Sequence, residues 1–569
     1  MRTLYCLLIF GFVQLLAGPM CYVVAQEIKK EQTKKNPVVQ PLKINATQQD
    51  SNKSIRKISQ RPLPKFDLPE YVITGVASID LPKLEKVWFD DTSNAADIES
   101  KSFKNSRRGR ETIELKLNNQ MNALQATTNK YSGLLHAGIG TYFTPQLGLW
   151  FGQTISDFHY TLGGTYHLTK GYARNTDQSG GGFMVTGGTT INPNLQILQG
   201  ASLDGRIDYN SESFYFYGSI IPDFQRTVSD LQLQLDIENR KIDEFPYSAG
   251  IKIGNFNAVD SSLSTIETRL DLHAQTLLSV WSLPIQTKFR WLSATGGLHL
   301  MDISGGIENY QFAGMIFEGS LHFYWAKGTA GQNLVRLRPH LTASYQLTAS
   351  HRIYASYMPI FLPMTLSSNT QVNRFLSTAS VVRQTDITDA GEIGIESDWS
   401  SAIQSHISFN VQSMRDLTMF SDSSHSGIWV TAYGGRTTVV TLYGEVVAKL
   451  KSNDYFASNI ILRSIKDSYW NKAIPYTPNL EGSFSARHGF GRKIAGSVYF
   501  RLVGERKADF DGDVSLPKYI VIDMNGEYTP FNFVKIMIGM KNLTGTRYEI
   551  WKGYQEFPMK IHAALQIKW

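Results

Sequence analysis

The chain closes on Met559-Lys-Ile-His-Ala-Ala-Leu-Gln-Ile-Lys-Trp569, and the reading of that run decides the fold. Met559, Ile561, Ala563, Leu565, Ile567 and Trp569 fall on one face of an extended strand. Lys560, His562, Gln566 and Lys568 fall on the other, with Ala564 among them. Side chains of a strand alternate between faces, so this period of two separates an apolar face from a polar one. Such a strand suits a wall with lipid outside and water or polar side chains inside. Two runs upstream share the pattern: Tyr519-Ile-Val-Ile-Asp-Met-Asn-Gly-Glu-Tyr528 and Phe533-Val-Lys-Ile-Met-Ile-Gly-Met-Lys541. A polar turn around Pro530 and Asn532 joins them.

At 569 residues the chain has room for several soluble domains. No internal window holds the roughly twenty consecutive apolar residues that a membrane helix needs. Aromatic residues make up 12%, enough for girdles at two membrane interfaces. An apolar fraction of 42% is equally compatible with a large all-β extracellular protein, so composition leaves that pair open. The formal net charge of +7 comes with no nucleic-acid motif, and it fits anionic lipid head groups better than nucleic acid.

Arg2, the apolar stretch Leu4 to Leu16 and the small residue Ala25 before Gln26 form a secretory signal pattern, with cleavage expected after Ala25. Met20 precedes Cys21 where a lipoprotein signal needs a small residue, which argues against a lipid anchor. The chain has only two cysteines, Cys6 and Cys21, and both lie in the segment expected to be removed. An exported chain without disulfides must be held by other means, and a closed sheet supplies them. Residues 26–66 are polar, basic and rich in Pro, Gln, Asn and Lys, as in a flexible tether. Next comes Phe66-Asp-Leu-Pro-Glu-Tyr-Val-Ile-Thr-Gly75, an extended island bounded by Pro69 and Gly75. It suits a strand added to a partner's sheet, and equally one packed beneath the barrel.

From Tyr131 onward charged residues thin out, and alternating segments recur between turn clusters. The pattern predicts an all-β chain of about 22 antiparallel strands. Among them are strands at 194–205, 206–219, 283–304 and 311–326. Short connections such as Thr348-Ala-Ser350 and Trp399-Ser-Ser-Ala402 alternate with long ones at 359–388, 415–435, 467–477, 504–516 and 542–557. That alternation is expected of an outer-membrane barrel, with tight turns on the periplasmic side and larger loops outside. The predicted organisation is therefore a signal peptide at 1–25, a periplasmic tether at 26–130 and a transmembrane β-barrel at 131–569.

Several blocks resemble the closing strands of TonB-dependent receptor barrels. They are Pro478-Asn-Leu-Glu-Gly-Ser-Phe-Ser-Ala-Arg487, Tyr519-Ile-Val-Ile-Asp523 and Met540-Lys-Asn-Leu-Thr-Gly-Thr-Arg-Tyr-Glu549. Arg338-Pro-His-Leu-Thr-Ala-Ser-Tyr345 and Ile353-Tyr-Ala-Ser-Tyr357 are similar to middle strands of the same barrels. Gly138-Ile-Gly-Thr-Tyr-Phe-Thr-Pro145 looks like the first hairpin of a Bacteroidetes-type variant. The resemblance spans roughly 131–569. It implies an integral protein of the Gram-negative outer membrane that binds or takes up an external solute. Glu70, Tyr71, Val72, Ile73, Thr74 and Gly75 resemble the box through which that family contacts TonB. The family's folded plug has no counterpart pattern here. The resemblance therefore implies a plugless relative, its lumen filled by loops and the 76–130 segment or by a separate partner.

Other chemistry is weakly represented. Asp509-Phe-Asp-Gly-Asp513 sets Asp509, Asp511 and Asp513 in one outer loop, where a hard cation such as calcium favours oxygen ligands. A hydrated turn accounts for the same residues, since no Glu closes the loop at calcium-loop spacing. His136, His159, His167, His340 and His351 lack metal-ligand spacing and read as polar lumen residues. Trp150, Trp281, Trp291, Trp325, Trp399 and Trp470 read as girdle or lumen positions. Ser350-His351 and Ser424-His425 are too generic to indicate a catalytic pair, and no nucleophile elbow or phosphate loop occurs. The expectation is a non-enzyme without a cofactor. Its partners would be outer-membrane lipid, a solute, and TonB or another periplasmic protein. The alternative function is a structural or assembly platform that recruits periplasmic proteins through its amino-terminal segment.

Overall fold

The computed structural model describes residues 65–66, 132–191, 198–239, 246–260, 263–280, 283–451, 454–470 and 474–569. The expected signal peptide, most of the tether and the Glu70–Gly75 box lie outside these residues. Beginning with Gly133–Gly140 and ending with Lys560–Lys568, 22 antiparallel strands close into a barrel. At the seam Leu134 stands opposite Lys568 and Gly140 opposite His562. The amides of Ser132 and Gly133 both donate to the Trp569 carbonyl, at 2.6 and 2.9 Å. Closure gives every strand two neighbours, which is what a bilayer core without water demands of backbone polar groups.

The faces of the last strand follow the alternation in its sequence. Ile561, Leu565 and Trp569 are exposed on the outer surface, while Ala564 and Gln566 are buried inward. The same division repeats around the barrel: Leu162, Phe183, Ile393, Phe409, Leu442 and Ile538 all point outward. An outer surface of this composition is stable only against hydrocarbon, so this is a transmembrane barrel of the bacterial outer-membrane type.

The two ends differ. At the end that holds Trp569, most strands are joined by tight turns, as between Ile155 and Phe158, Phe312 and Met315, and Ser400 and Ile403. Phe158, Phe312, Trp399, Phe490, Phe531 and Trp569 flank these turns and point outward, forming an aromatic girdle. At Ala313 and Gly314 φ is 51° and 79°, the two positive values that a two-residue hairpin turn of matching twist requires. At the opposite end lie the long connections, including those between Tyr357 and Thr385 and between Arg415 and Arg436.

Two strand assignments need correction. The expected strand 283–304 is two strands, Leu283–Ala294 and Leu298–Phe312, hinged at Thr295-Gly296-Gly297. Both glycines have positive φ, 87° and 80°, so they turn the chain without a polar cluster. Conversely, most of the stretch divided into 194–205 and 206–219 is one strand, Ala201–Tyr215. Asp204-Gly205 has the composition of a turn, but Gly205 stays in the ladder opposite Gly187 and Leu235. The two errors cancel in the strand count.

Candidate functional site

The inward face of the wall is a ladder of charge pairs. Arg206 pairs with Asp208, Arg269 with Asp230, and Arg463 with Glu481. Arg290 reaches Asp271 at 2.7 Å, and Arg352 donates to Glu396 at 2.9 Å. Arg487 grips Glu527 with two bonds of 2.8 and 2.9 Å, and Lys535 adds a third contact at 3.3 Å. His322 lies 2.9 Å from Asp302 and stacks on His340 with ring centres 3.7 Å apart. Each charge comes from an inward position of a strand and meets its partner two residues along the same strand, as Arg206 does, or on a nearby strand of the ladder. This lets a low-dielectric wall carry ions without an isolated buried charge.

Over the mouth, the long connections fold together into a cap. The connection between Tyr357 and Thr385 carries a helix, Leu366–Val372, whose amino end is capped reciprocally by Thr365 and Ser368. Its first two amides, of Leu366 and Ser367, donate to the Glu267 carboxylate at 2.6 and 3.2 Å. Arg269 donates to the Ser367 hydroxyl at 2.8 Å. Buried Arg226 donates to the carbonyls of Arg374 and Leu376, at 3.1 and 2.6 Å, and to Asp260 at 2.8 Å. Arg374 in turn reaches Glu212 at 2.6 Å and Gln178 at 3.3 Å. A connection rooted in strands His351–Tyr357 and Thr385–Ser400 thus docks on strands from a distant part of the ladder, Gln178–Ile191 to Leu263–Val280.

Aromatic packing joins the cap's pieces. Fully buried Trp429 lies 5.2 Å from the Trp551 ring and donates from its indole nitrogen to Tyr476 at 3.1 Å. Phe375 stacks on Tyr554 at 3.7 Å, and the Tyr554 hydroxyl donates to the Gly427 carbonyl at 2.8 Å. The amide of Ser377 donates to the Trp429 carbonyl at 2.7 Å. Burial, with the Glu556 carboxylate beside it, pushes the Tyr217 hydroxyl far above its usual range. Burial acts the same way on Tyr554, so both rings stay neutral and act as donors. At about 1.5–3 kcal/mol per large apolar side chain, the rings around Trp429 contribute on the order of 10 kcal/mol to closure, an upper value.

The residues singled out in the sequence scatter across this frame. Asp509 accepts the Val514 amide at 3.1 Å within its own loop. Among the described residues no group of three His, Cys, Asp or Glu side chains could share a metal ion. His159 pairs with Asp204 at 3.4 Å, and His351 meets Trp399 edge-on. In the Ser424-His425 turn, Asp422 gathers the amides of Ser426 and Gly427 at 2.9 and 2.7 Å. Trp150 faces the lumen, Trp399 sits in the girdle, and Trp470 stacks on Phe510 within the outer loops. Trp281 lies outside the described residues. The residues that build the cap, Trp429, Trp551, Phe375, Arg226 and Glu267, went unnoticed in the sequence. For the three aromatic residues the one signal was a tryptophan or phenylalanine in otherwise polar loops, and Arg226 and Glu267 lie in strands with no signal of their own.

No family model matches the sequence, and a search of curated proteins gives no match. Solved structures with the same architecture are numerous. The FrpB iron transporter from Neisseria meningitidis is 9% identical, with a TM-score of 0.61 over 77% of this chain and 81% of that one. The ferric-catecholate import receptor Fiu from E. coli K12 is 12% identical, with a TM-score of 0.58 over 78% and 82%. The siderophore receptor PiuA from Acinetobacter baumannii is 8% identical, with a TM-score of 0.59 over 77% and 81%. What the chain shares with these proteins is the fold: a closed barrel of 22 antiparallel strands.

Proposed function

We propose that this barrel is a receptor-like uptake protein of the outer membrane whose outer mouth is closed at rest by its own loops. The observation that carries the reading is the cap, in which charged wall residues hold loop backbone and an aromatic core joins connections from separate hairpins. A structural post has no use for a polar lumen wall closed by loops pinned to it. A transport route does, because a 22-strand cylinder left open would leak. The solute enters when it or a partner displaces the cap. What the loops leave unfilled is plugged by the 76–130 segment or by a partner chain. The Glu70–Gly75 box supplies the periplasmic contact with TonB.

Planar-bilayer recording tests the route. The full chain is expected to be silent, and a variant with residues 364–382 replaced by a Gly/Ser linker is expected to conduct. If the barrel stays silent even after additional deletion of 26–130, the platform reading takes over. Val72→Pro removes an amide donor from the box and is expected to abolish solute uptake while leaving barrel assembly intact. Unchanged uptake would discard the box.

A further inference from the structure

On the outer wall, residues of six neighbouring strands line one apolar groove of about 750 Å³. Its floor is Ala343 and Ala355, which stand opposite each other in the ladder. In the same register Phe317 flanks Ala343 on one side, and Ile393 flanks Ala355 on the other. Gly319 and Gly391 widen the trough where larger side chains would fill it. The surface is external: Leu341 beside the floor is 54% exposed and Ile393 is 60% exposed. Ile393 lies at the middle of strand Thr385–Ser400 and Phe317 near the start of Met315–Lys327, both on the lipid-facing side of the wall, so whatever fills the groove is apolar.

Shape narrows the choice. Phe317 and Ile393 stand three strand spacings apart, about 14 Å between backbones. Their side chains reduce that opening, and a helix of about 10–12 Å diameter does not fit between them. A single extended hydrocarbon chain does. The groove's low end, at Tyr310 and Phe317, lies next to the tight turn Ala313-Gly314. It therefore opens toward the same end of the barrel as Trp569. An empty trough forfeits the dispersion contacts of its lining, so a chain that fits gains them and stays longer than its neighbours in the bilayer.

We infer that this groove is a retained-lipid site, which holds one acyl chain of a phospholipid from the periplasmic leaflet. The inference rests on the transmembrane reading and not on the uptake route.

The test uses the full chain in nanodiscs containing a phospholipid with a diazirine in its acyl chain. After irradiation, peptides carrying lipid are mapped by mass spectrometry. Labelling is expected to concentrate on the strands of Phe317, Ala343, Ala355 and Ile393. Ala355→Phe is expected to lower it there about tenfold, the loss of roughly 1.4 kcal/mol of binding. Gly391→Leu is a second filler, since a Cβ at Gly391 meets nothing within 4 Å. Ala563→Phe, outward on the last strand, is the control and should change nothing. Even labelling around the barrel, or equal labelling of the wild type and both fillers, overturns the site. So does a protein–protein cross-link in the groove. Heat-modifiable gel mobility shows that each variant is folded.

Discussion

Arg226 shows how much a single side chain can hold. Its guanidinium is spread over Asp260 and two loop carbonyls, and it lies over the Phe216 ring at 4.7 Å. Arg226→Met would leave the Asp260 carboxylate nearly buried and two carbonyls short of a donor, at a cost of about 3–5 kcal/mol. The expected outcome is an intact barrel whose 358–384 connection is cut by added protease. Full resistance would mean that the aromatic core alone holds the cap. A pH effect belongs to Glu549, also in the outer loops. Burial raises its carboxyl pKa, against the pull of the Gly553 amide and nearby Lys552 and Arg506. A raised folded-state pKa means that stability is fully present below the unfolded value and is lost as pH rises through the folded one. Hydrogen exchange of the Glu549–Glu556 hairpin should therefore quicken as pH climbs past the ordinary carboxylate range, beyond the rise of intrinsic exchange. Glu549→Gln should abolish that extra dependence.

Among elements, the strand is the unit whose physics was legible in advance. Period two placed the outward and inward residues of Lys560–Lys568 correctly, because a pleated backbone allows nothing else. Turn composition misled where the backbone could use glycine in two ways. Gly296 and Gly297 bend without polar neighbours, whereas Gly205 sits straight in a ladder behind an aspartate. The cap was not legible, because its core is assembled from residues distant in sequence. Phe375, Trp429 and Tyr554 come from three different connections, and no local pattern announces that they meet. The two faces of one strand give a direct prediction. Leu162→Arg, outward on Phe158–Thr169, should cost about 2–4 kcal/mol on refolding into vesicles. Thr165→Arg, three residues on and facing the lumen, should cost far less. Equal penalties would mean that both sides of the wall meet the same solvent.

For the molecule as a whole, the decisive contact is the seam. Ala137 stands opposite Leu565, and the native cysteines are Cys6 and Cys21 alone, so a cysteine pair at 137 and 565 is a clean probe. Oxidation should join the pair completely and raise resistance to denaturant by up to about 6 kcal/mol, the chain-entropy value for so long a loop. A sluggish or partial bridge would mean another register. The amide of Gly133 and the carbonyl of Trp569 join the first and last strands of the barrel, and the neighbouring Ser132–Trp569 contact spans 437 positions. Loss of strand Lys560–Lys568 would strip a partner from both Gly133–Gly140 and Val534–Lys541, leaving a sheet with two raw margins. Quality control by proteolysis has only to recognise an unmet edge to clear every incomplete copy.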